Sequence, residues 1–334
     1  MLVRPVAADP GGHLAALGWS DRVATLFGDL AVAGSLPARV VRVERSCCFV
    51  VGGDGNVRSL ALLGQMAVGD WVATTATTVQ LVLPRWSALS RLHAAGTGTQ
   101  VLAANVDIVL ITAPADRLRP SRVERELALA LDSGARPVIV LTKLDLDTGG
   151  LLRDLRARLS AVEVIGVSAA SGDGLDAVRG LLRPAHTAVL LGASGAGKST
   201  LVNALVGEDL QATGAVRSGD QRGRHTTSSR QLIVVPGGGV LIDTPGVRSL
   251  GLTGEGDLDQ VFPEIEALAA GCRFGDCRHL REPGCAVTDA VASGLLDPSR
   301  LASFNKLHNE VAVEERRHDP LARREAGRLR KHGN

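Results

Sequence analysis

The segment TAVLLGASGAGKSTLVNAL, residues 187–205, constrains this chain more than any other feature. An apolar run leads into the pattern G-x-x-x-x-G-K-S, formed by Gly192, Gly197, Lys198 and Ser199, and a helical pattern follows. Glycines allow backbone N–H groups to turn inward around an anion, and the start of the helix adds its positive dipole end. This order of strand, turn and helix predicts a phosphate-binding loop for a nucleoside triphosphate.

Two further elements complete the predicted phosphate and magnesium site. We expect Lys198 to reach the β and γ phosphate oxygens and the Ser199 hydroxyl to bind Mg²⁺. In LIDTPG, residues 241–246, Asp243 ends an apolar strand on the metal side and Gly246 is placed to sense a γ-phosphate. The tetrapeptide Asp-Thr-Pro-Gly is also common in turns. It indicates a magnesium-side element here because it follows an apolar strand. The rest of the predicted loop site is Ala193, Ser194, Gly195, Ala196 and Thr200.

The polar segment GDQRGRHTTSSR, residues 219–230, lies between these elements. Its composition predicts a switch loop in which Thr226 or Thr227 closes onto magnesium when a γ-phosphate is present. Val247 stands directly after DTPG, where many GTPases have a Gln that orients the attacking water, so intrinsic hydrolysis should be slow. His225 is the nearest candidate replacement for this catalytic role. The alternative interpretation of residues 219–230 is a solvated surface loop.

Two short segments favour guanine as the base. VLTKLD, residues 140–145, resembles a guanine-recognition motif in which Asp145 accepts from N1–H and the exocyclic amine while the Lys143 stem covers the ring. VSAAS, residues 167–171, resembles the supporting element whose backbone N–H meets guanine O6. Each string is weak alone, but both follow strands of one predicted sheet, which favours GTP over ATP. The predicted base-binding residues are Thr142, Lys143, Leu144, Asp145, Ser168 and Ala169.

The segment CRFGDCRHLREPGC has the spacing C-x4-C-x-H-x5-C and predicts a structural metal site. Three thiolates and one imidazole satisfy tetrahedral Zn²⁺ and leave no open position. The predicted zinc ligands are Cys272, Cys277, His279 and Cys285.

The pattern of elements predicts a multidomain α/β protein. Five short β-prone runs between residues 36 and 84 predict an N-terminal OB-type β-barrel, although an SH3-like barrel would give a similar pattern. From about residue 105, apolar runs alternate with helical patterns, which predicts a parallel sheet. One helix should span SRVERELALALDSG, residues 121–134, with Ser121 as its N-cap. The predicted domains are an N-terminal extension (1–35), an RNA-binding OB-fold (36–90), a circularly permuted P-loop GTPase domain (91–252) and a mostly helical zinc-binding domain (253–334).

The order of the motifs indicates the permutation. The base-binding segments (143–170) precede the phosphate-binding segments (192–246), the reverse of the Ras-like order. Permutation preserves the site because all these loops gather at the carboxyl ends of parallel strands.

Composition limits the partners. The 334 residues carry a net charge of only +2, which excludes a strongly polycationic protein. Local excesses of +3 in 36–93, +3 in 217–230 and +4 in 299–334 are compatible with phosphate contacts, although each also suits a solvated face. Only 2% of residues are aromatic, and Phe49 and Trp71 are the main stacking candidates in the barrel, so docking by backbone charge is favoured over base stacking. With no apolar leader and no apolar stretch of membrane-spanning length, we expect a cytoplasmic monomer with no membrane partner.

The chain resembles the RsgA family, also called YjeQ or EngC, of circularly permuted GTPases that depend on the small ribosomal subunit. The resemblance covers roughly residues 36–330, and Thr142 stands where Asn is commoner. It implies a GTPase that binds the 30S subunit and its 16S rRNA, assists late maturation, is stimulated by that subunit, and leaves after hydrolysis to GDP. The role of residues 1–35 stays open. The resemblance is carried, besides the zinc cluster, by GDW (69–71), LPRWSALSR (83–91), TKLD, GASGAGKST, GRHTT and DTPGVRSLGL.

Two other functions are compatible with the motifs. One is a zinc-dependent RNA-binding protein whose nucleotide site is only structural and does not hydrolyse. The other is a permuted GTPase that serves a different RNA or a modification enzyme.

Overall fold

The computed structural model describes residues 12–92, 99–207, 231–243 and 258–318. The strands are β1 (Leu36–Val43), β2 (Cys47–Gly52), β3 (Val57–Ala61), β4 (Trp71–Thr74), β5 (Val79–Val82), β6 (Ala88–Leu92), β7 (Thr99–Ala104), β8 (Ile108–Pro114), β9 (Arg136–Thr142), β10 (Glu163–Val167), β11 (Thr187–Gly192), β12 (Gln231–Val234) and β13 (Val240–Asp243). The helices are α1 (His13–Ala16), α2 (Asp21–Leu30), α3 (Pro120–Asp132), α4 (Leu151–Arg158), α5 (Leu175–Leu181), α6 (Lys198–Val206), α7 (Leu258–Val261), α8 (Pro263–Ala269), α9 (Ala286–Ala292) and α10 (Pro298–His318).

The strands β1–β5 form the antiparallel N-terminal barrel. β1 pairs with β2 on one side and with β4 on the other, and β3 and β5 extend these pairs outward. Alternate residues of these strands point inward, so Ala38, Val40, Val50 and Val72 build the barrel core. The five strands lie at the five β-prone runs of residues 36–84.

Helices α1 and α2 cover the outer face of the barrel. Leu14 and Phe27 from these helices pack with Trp71, which is only 1% exposed. Trp19 meets Trp71 edge to face, with 5.3 Å between the ring centroids. Trp71 is therefore a core residue and does not offer a stacking surface for a base.

Five parallel strands make the α/β part, in the order β10-β9-β8-β11-β13. Their apolar runs are buried on both faces, as expected for a parallel sheet covered by helices. β12 adds antiparallel to β13 and also pairs with β1, with Arg42 opposite Gln231. The barrel therefore continues the mixed sheet.

The structure forms two compact units, of which the first contains the barrel and the α/β sheet. The second contains α3 and α7–α10, and α3 packs against α7 and α10 within it. The buried Arg300 donates to Glu124 at 2.8 Å and to Glu264 at 2.5 Å, which joins α10, α3 and α8.

Helix α3 begins at Pro120, so Ser121 lies in its first turn, and the prediction that Ser121 is the N-cap is wrong. Proline is favoured in the first turn because its missing N–H would have no helical partner there. Across the described ranges, no helix combines the length and hydrophobicity that a membrane crossing requires.

Candidate nucleotide site and metal centre

The predicted nucleotide-binding residues that the structure describes gather at one edge of the parallel sheet. The chain runs outward from β8 through β9 to β10 and then returns to place β11 on the other side of β8. The strand order therefore reverses between β8 and β11. In open parallel sheets, ligands bind outside the carboxyl ends of the strands at this reversal.

The phosphate-binding loop leaves the buried strand β11 at Gly192. Gly192 has φ 149°, and a Cβ built there would lie 2.2 Å from Thr112 Oγ1, so no larger residue fits. Gly197, at φ 87°, is the N-cap of α6. These two glycines produce the turn that aims the α6 N-terminus across the loop, as the sequence predicts.

Lys198 and Ser199 lie in the first turn of α6. Lys198 Nζ donates to the carbonyls of Gly192 at 2.8 Å and Ala193 at 2.7 Å, so the ammonium lies over the loop. Asp243 is 5% exposed at the end of β13, the strand next to β11. A hydroxyl and a carboxylate are the hard oxygen donors that suit Mg²⁺.

The two segments predicted to bind the base contact each other. Ser168 follows β10, Asp145 follows β9, and Ser168 Oγ donates to Asp145 Oδ1 at 2.6 Å. Ser168 is 1% exposed whereas Asp145 is exposed, so a buried hydroxyl orients a carboxylate that faces the solvent. Ala169 continues the loop after Ser168 and is half-buried.

Lys143 has a partner that the sequence reasoning missed. Lys143 takes the left-handed conformation at φ 57°, and its Nζ lies 2.9 Å from Asp116 Oδ2. The hydrogen bond from Lys143 lowers the pKa of Asp116. Asp116 lies in a 3-10 turn (Ala115–Arg117) directly after β8. The sequence signal that could have identified Asp116 is the position of this carboxylate just beyond a third parallel strand.

Thr142 and Leu144 complete this motif. Thr142 is the last residue of β9 and is 5% exposed, and its hydroxyl donates to Ala196 O in the phosphate loop at 2.7 Å. Leu144 begins a 3-10 turn (Leu144–Leu146), and its side chain packs over Gly166 of β10. The base segment is therefore tied to the loop through Thr142.

The four predicted zinc ligands converge in the second unit. Their ligand atoms all lie within 4.8 Å of one another. Cys272 Sγ is 3.9 Å from Cys285 Sγ, and His279 Nδ1 is 3.6 Å from Cys272 Sγ and 3.4 Å from Cys285 Sγ. Tetrahedral zinc with Zn–S of about 2.3 Å and Zn–N of about 2.0 Å separates its ligands by roughly 3.5–3.8 Å. The donor set and its dimensions fit this metal.

The local structure favours thiolate at Cys285. Burial opposes the charged form, but hydrogen bonds from Thr288 lower the pKa of Cys285 to about 6. Cys285 is also the N-cap of α9, and its sulfur accepts from Thr288 N at 3.4 Å. His279 has φ 56°, which turns its ring toward the cluster.

Several predicted residues lie outside the described residues. They are His225, Thr226 and Thr227 of the predicted switch loop and Gly246 of the DTPG element.

Comparison with known proteins identifies the family. Residues 82–253 match the RsgA GTPase family. A relative from Streptomyces coelicolor, named small ribosomal subunit biogenesis GTPase RsgA, is 46% identical over 316 residues, which cover 89% of this chain and 86% of the relative. The chain belongs to the RsgA GTPase family. A second RsgA of the same name, from Opitutus terrae, is 43% identical and covers 95% of both chains.

Solved structures of RsgA-like proteins share this fold. The crystal structure of YjeQ from Thermotoga maritima matches with a TM-score of 0.62 and 25% identity, covering 83% of this chain and 99% of that one. YloQ, described as a circularly permuted GTPase, matches in fold with a TM-score of 0.57 and 22% identity, covering 85% of this chain and 97% of that one. The predicted fold class is thereby confirmed, and membership makes the chain a GTP hydrolase that uses Mg²⁺ with GTP.

Proposed function

We propose that this chain binds the 30S ribosomal subunit in the GTP form, assists its late maturation, and leaves after hydrolysing GTP to GDP. The relatives' name, small ribosomal subunit biogenesis GTPase, supports the process. The observation that carries the enzymatic part is the meeting of Asp145 with Ser168 beside the loop that carries Lys198. That arrangement gathers a base-reading carboxylate and a phosphate cradle at one sheet edge.

We assign the nucleotide roles as follows. Asp145 reads the Watson–Crick edge of guanine, and the Lys143 stem covers the base. Backbone N–H groups of 192–200 and the Lys198 ammonium hold the phosphates, while Ser199 and Asp243 bind Mg²⁺. Gly246 and Thr226 or Thr227 respond to the γ-phosphate, and His225 assists the attacking water.

We assign zinc to Cys272, Cys277, His279 and Cys285 as a structural metal. Three thiolates and one imidazole would complete the tetrahedral coordination of zinc, so the metal would stabilise the turns of residues 272–285 and leave no position for a substrate.

We propose that the barrel and the C-terminal unit dock on 16S rRNA chiefly through its backbone. Trp71 is buried, and Phe49 lies under the Arg42 guanidinium, 3.8 Å from its ring centroid. Because the Arg42 guanidinium already covers the Phe49 ring, this ring offers little surface for base stacking. A phosphate contact by Arg42 is therefore favoured. The protein would act as a cytoplasmic monomer.

Co-sedimentation and GTP turnover test this function together. We expect the chain to sediment with 30S subunits, and not with 50S subunits, in a non-hydrolysable GTP analogue and to be released in GDP. We also expect 30S subunits to raise GTP turnover at least tenfold, and Lys198→Ala to abolish turnover while the zinc content stays unchanged. Equal sedimentation in both nucleotides, or equal turnover with and without 30S subunits, would refute the proposal.

A further inference from the structure

We infer that Thr142 is a positioning residue for the phosphate-binding loop and that it does not read the base. This inference rests on the proposed nucleotide site. Thr142 ends the strand β9, and its hydroxyl donates to Ala196 O at 2.7 Å, with Ala113 O as a second acceptor at 3.4 Å. A hydroxyl has one proton, so its donor capacity is spent inside the protein.

The bond adds to the loop's own backbone closure: Ala196 N donates to Ala193 O at 3.2 Å, and the Ala196 carbonyl accepts from Thr142. Ala196 is fully buried and directly precedes Gly197, the N-cap of α6, in a turn with positive-φ glycines on both sides of it. A Cβ built on Gly197 would lie 3.4 Å from Thr142 Oγ1 and Cβ, so the strand end and the loop are in van der Waals contact. Thr142 therefore fixes the depth at which the phosphate cradle lies over the sheet.

The hydrogen bond from Thr142 to Ala196 O also determines whether Thr142 can donate to the guanine base. Guanine presents acceptors at N7 and O6, which require donors from the protein. An Asn side chain has two N–H donors besides its oxygen and could serve both the loop and the base. Thr142 has no proton left for N7. Base selection then falls on Asp145, oriented by Ser168 at 2.6 Å, which accepts from the opposite edge of guanine.

The test uses three substitutions at this position and competitive nucleotide titrations. Thr142→Val removes the hydroxyl at nearly constant shape, Thr142→Ser keeps it, and Thr142→Asn adds an amide. Affinities would be measured for GDP, GMP, inosine diphosphate and 7-deaza-GDP, which lacks N7. Melting temperature and zinc content serve as controls for folding.

We expect wild-type protein to bind GDP and 7-deaza-GDP within twofold of each other. Thr142→Val should weaken the binding of GDP about tenfold, equivalent to about 1.4 kcal/mol. The binding of GMP should weaken less, because the substitution displaces the loop that holds the phosphates. The ratios of GDP to inosine diphosphate and to 7-deaza-GDP should stay unchanged. Thr142→Ser should restore wild-type affinity, and Thr142→Asn should create a preference for GDP over 7-deaza-GDP.

Two results would overturn the inference. One is wild-type protein that discriminates tenfold against 7-deaza-GDP, which decides the matter even if Thr142→Val does not fold. The other is a folded Thr142→Val protein with unchanged GDP affinity or a changed base ratio. The variant Asp145→Asn distinguishes a wrong role for Thr142 from a wrong nucleotide site. If the site is correct, Asp145→Asn should shift the binding preference from GDP to xanthosine diphosphate. If Asp145→Asn kept its GDP preference, the nucleotide site itself would be misassigned.

Discussion

Replacing Arg39 tests how the barrel is held to the α/β sheet. Arg39 is fully buried, and its guanidinium donates to Leu17 O, to Thr187 Oγ1 at 2.7 Å and to Gly69 O at 3.4 Å. Its Cζ lies 4.9 Å from the centroid of the Trp71 ring. One side chain therefore joins the N-terminal helices, the barrel and the first residue of β11, the strand that ends in the phosphate loop.

The charge of Arg39 is not neutralised by an ion pair. In the part of the chain that the structure describes, no carboxylate lies within salt-bridge distance of it, because Asp70 pairs with Arg85 at 2.7 Å and Asp107 accepts from Thr187 N at 2.7 Å. Burial lowers the pKa of Arg39 to about 10, so the group stays charged at neutral pH.

The expected loss follows from these contacts. Arg39→Met removes two close hydrogen bonds from a charged donor, about 1.5–3 kcal/mol each, and a desolvated guanidinium–indole contact of about 2 kcal/mol. It also removes the cost of burying the charge, about 3 kcal/mol for a pKa that burial lowers to about 10. The net loss in the free energy of unfolding is about 2–5 kcal/mol. Arg39→Lys should not rescue it, because one ammonium cannot span the positions that the guanidinium fork reaches.

Urea unfolding followed by tryptophan fluorescence measures this loss directly. The chain has three tryptophans and no tyrosine; Trp19 and Trp71 lie at this junction, and Trp86 packs in the same cluster. Arg45→Met, at an exposed position close in sequence, is the control and should change stability by less than about 0.5 kcal/mol. A loss below 1 kcal/mol for Arg39→Met, or wild-type stability for Arg39→Lys, would refute this account.

Three further outcomes are expected. Cys272→Ala should release zinc, measured by elemental analysis, and lower the melting temperature of the C-terminal unit; full zinc content would contradict the ligand assignment. Gly192→Ala should abolish nucleotide binding in titration calorimetry, because its Cβ would lie 2.2 Å from Thr112 Oγ1, whereas Gly180→Ala in α5, with no positive φ and nothing within 4 Å, should bind normally. Arg300→Met should lower the free energy of unfolding by about 3–5 kcal/mol in chemical denaturation, since it leaves the buried carboxylate of Glu124 without its cation; an unchanged midpoint would show that the pair is dispensable.

Much of the candidate site follows from local sequence. The glycines of the phosphate loop, the strand before it and the helix after it lie within one stretch of chain, and so do the four predicted zinc ligands. Short-range spacing fixes such geometry, because each motif brings its own turns. The meeting of Asp145 and Ser168 was also predictable, since both follow neighbouring parallel strands.

Other features of the site could not be read from spacing. Asp116 is 27 residues from Lys143, and its role depends on β8 lying next to β9 in register. Thr142 and Ala196 are 54 residues apart, and the sequence shows only that a commoner Asn is missing. The C-terminal unit includes α3, although this helix lies in sequence between two strands of the α/β sheet.

The sequence by itself determined the class of this protein: a permuted GTPase with a barrel and a Cys/His cluster suited to a metal, identified from compact motifs and their order. Only the tertiary structure decided which polar groups are buried. In the alternating pattern of β1, Arg39 points away from the barrel core and would be expected in solvent. Packing of α1, α2 and β11 against that face buries it instead, because burial depends on contacts between distant segments, which no local period encodes.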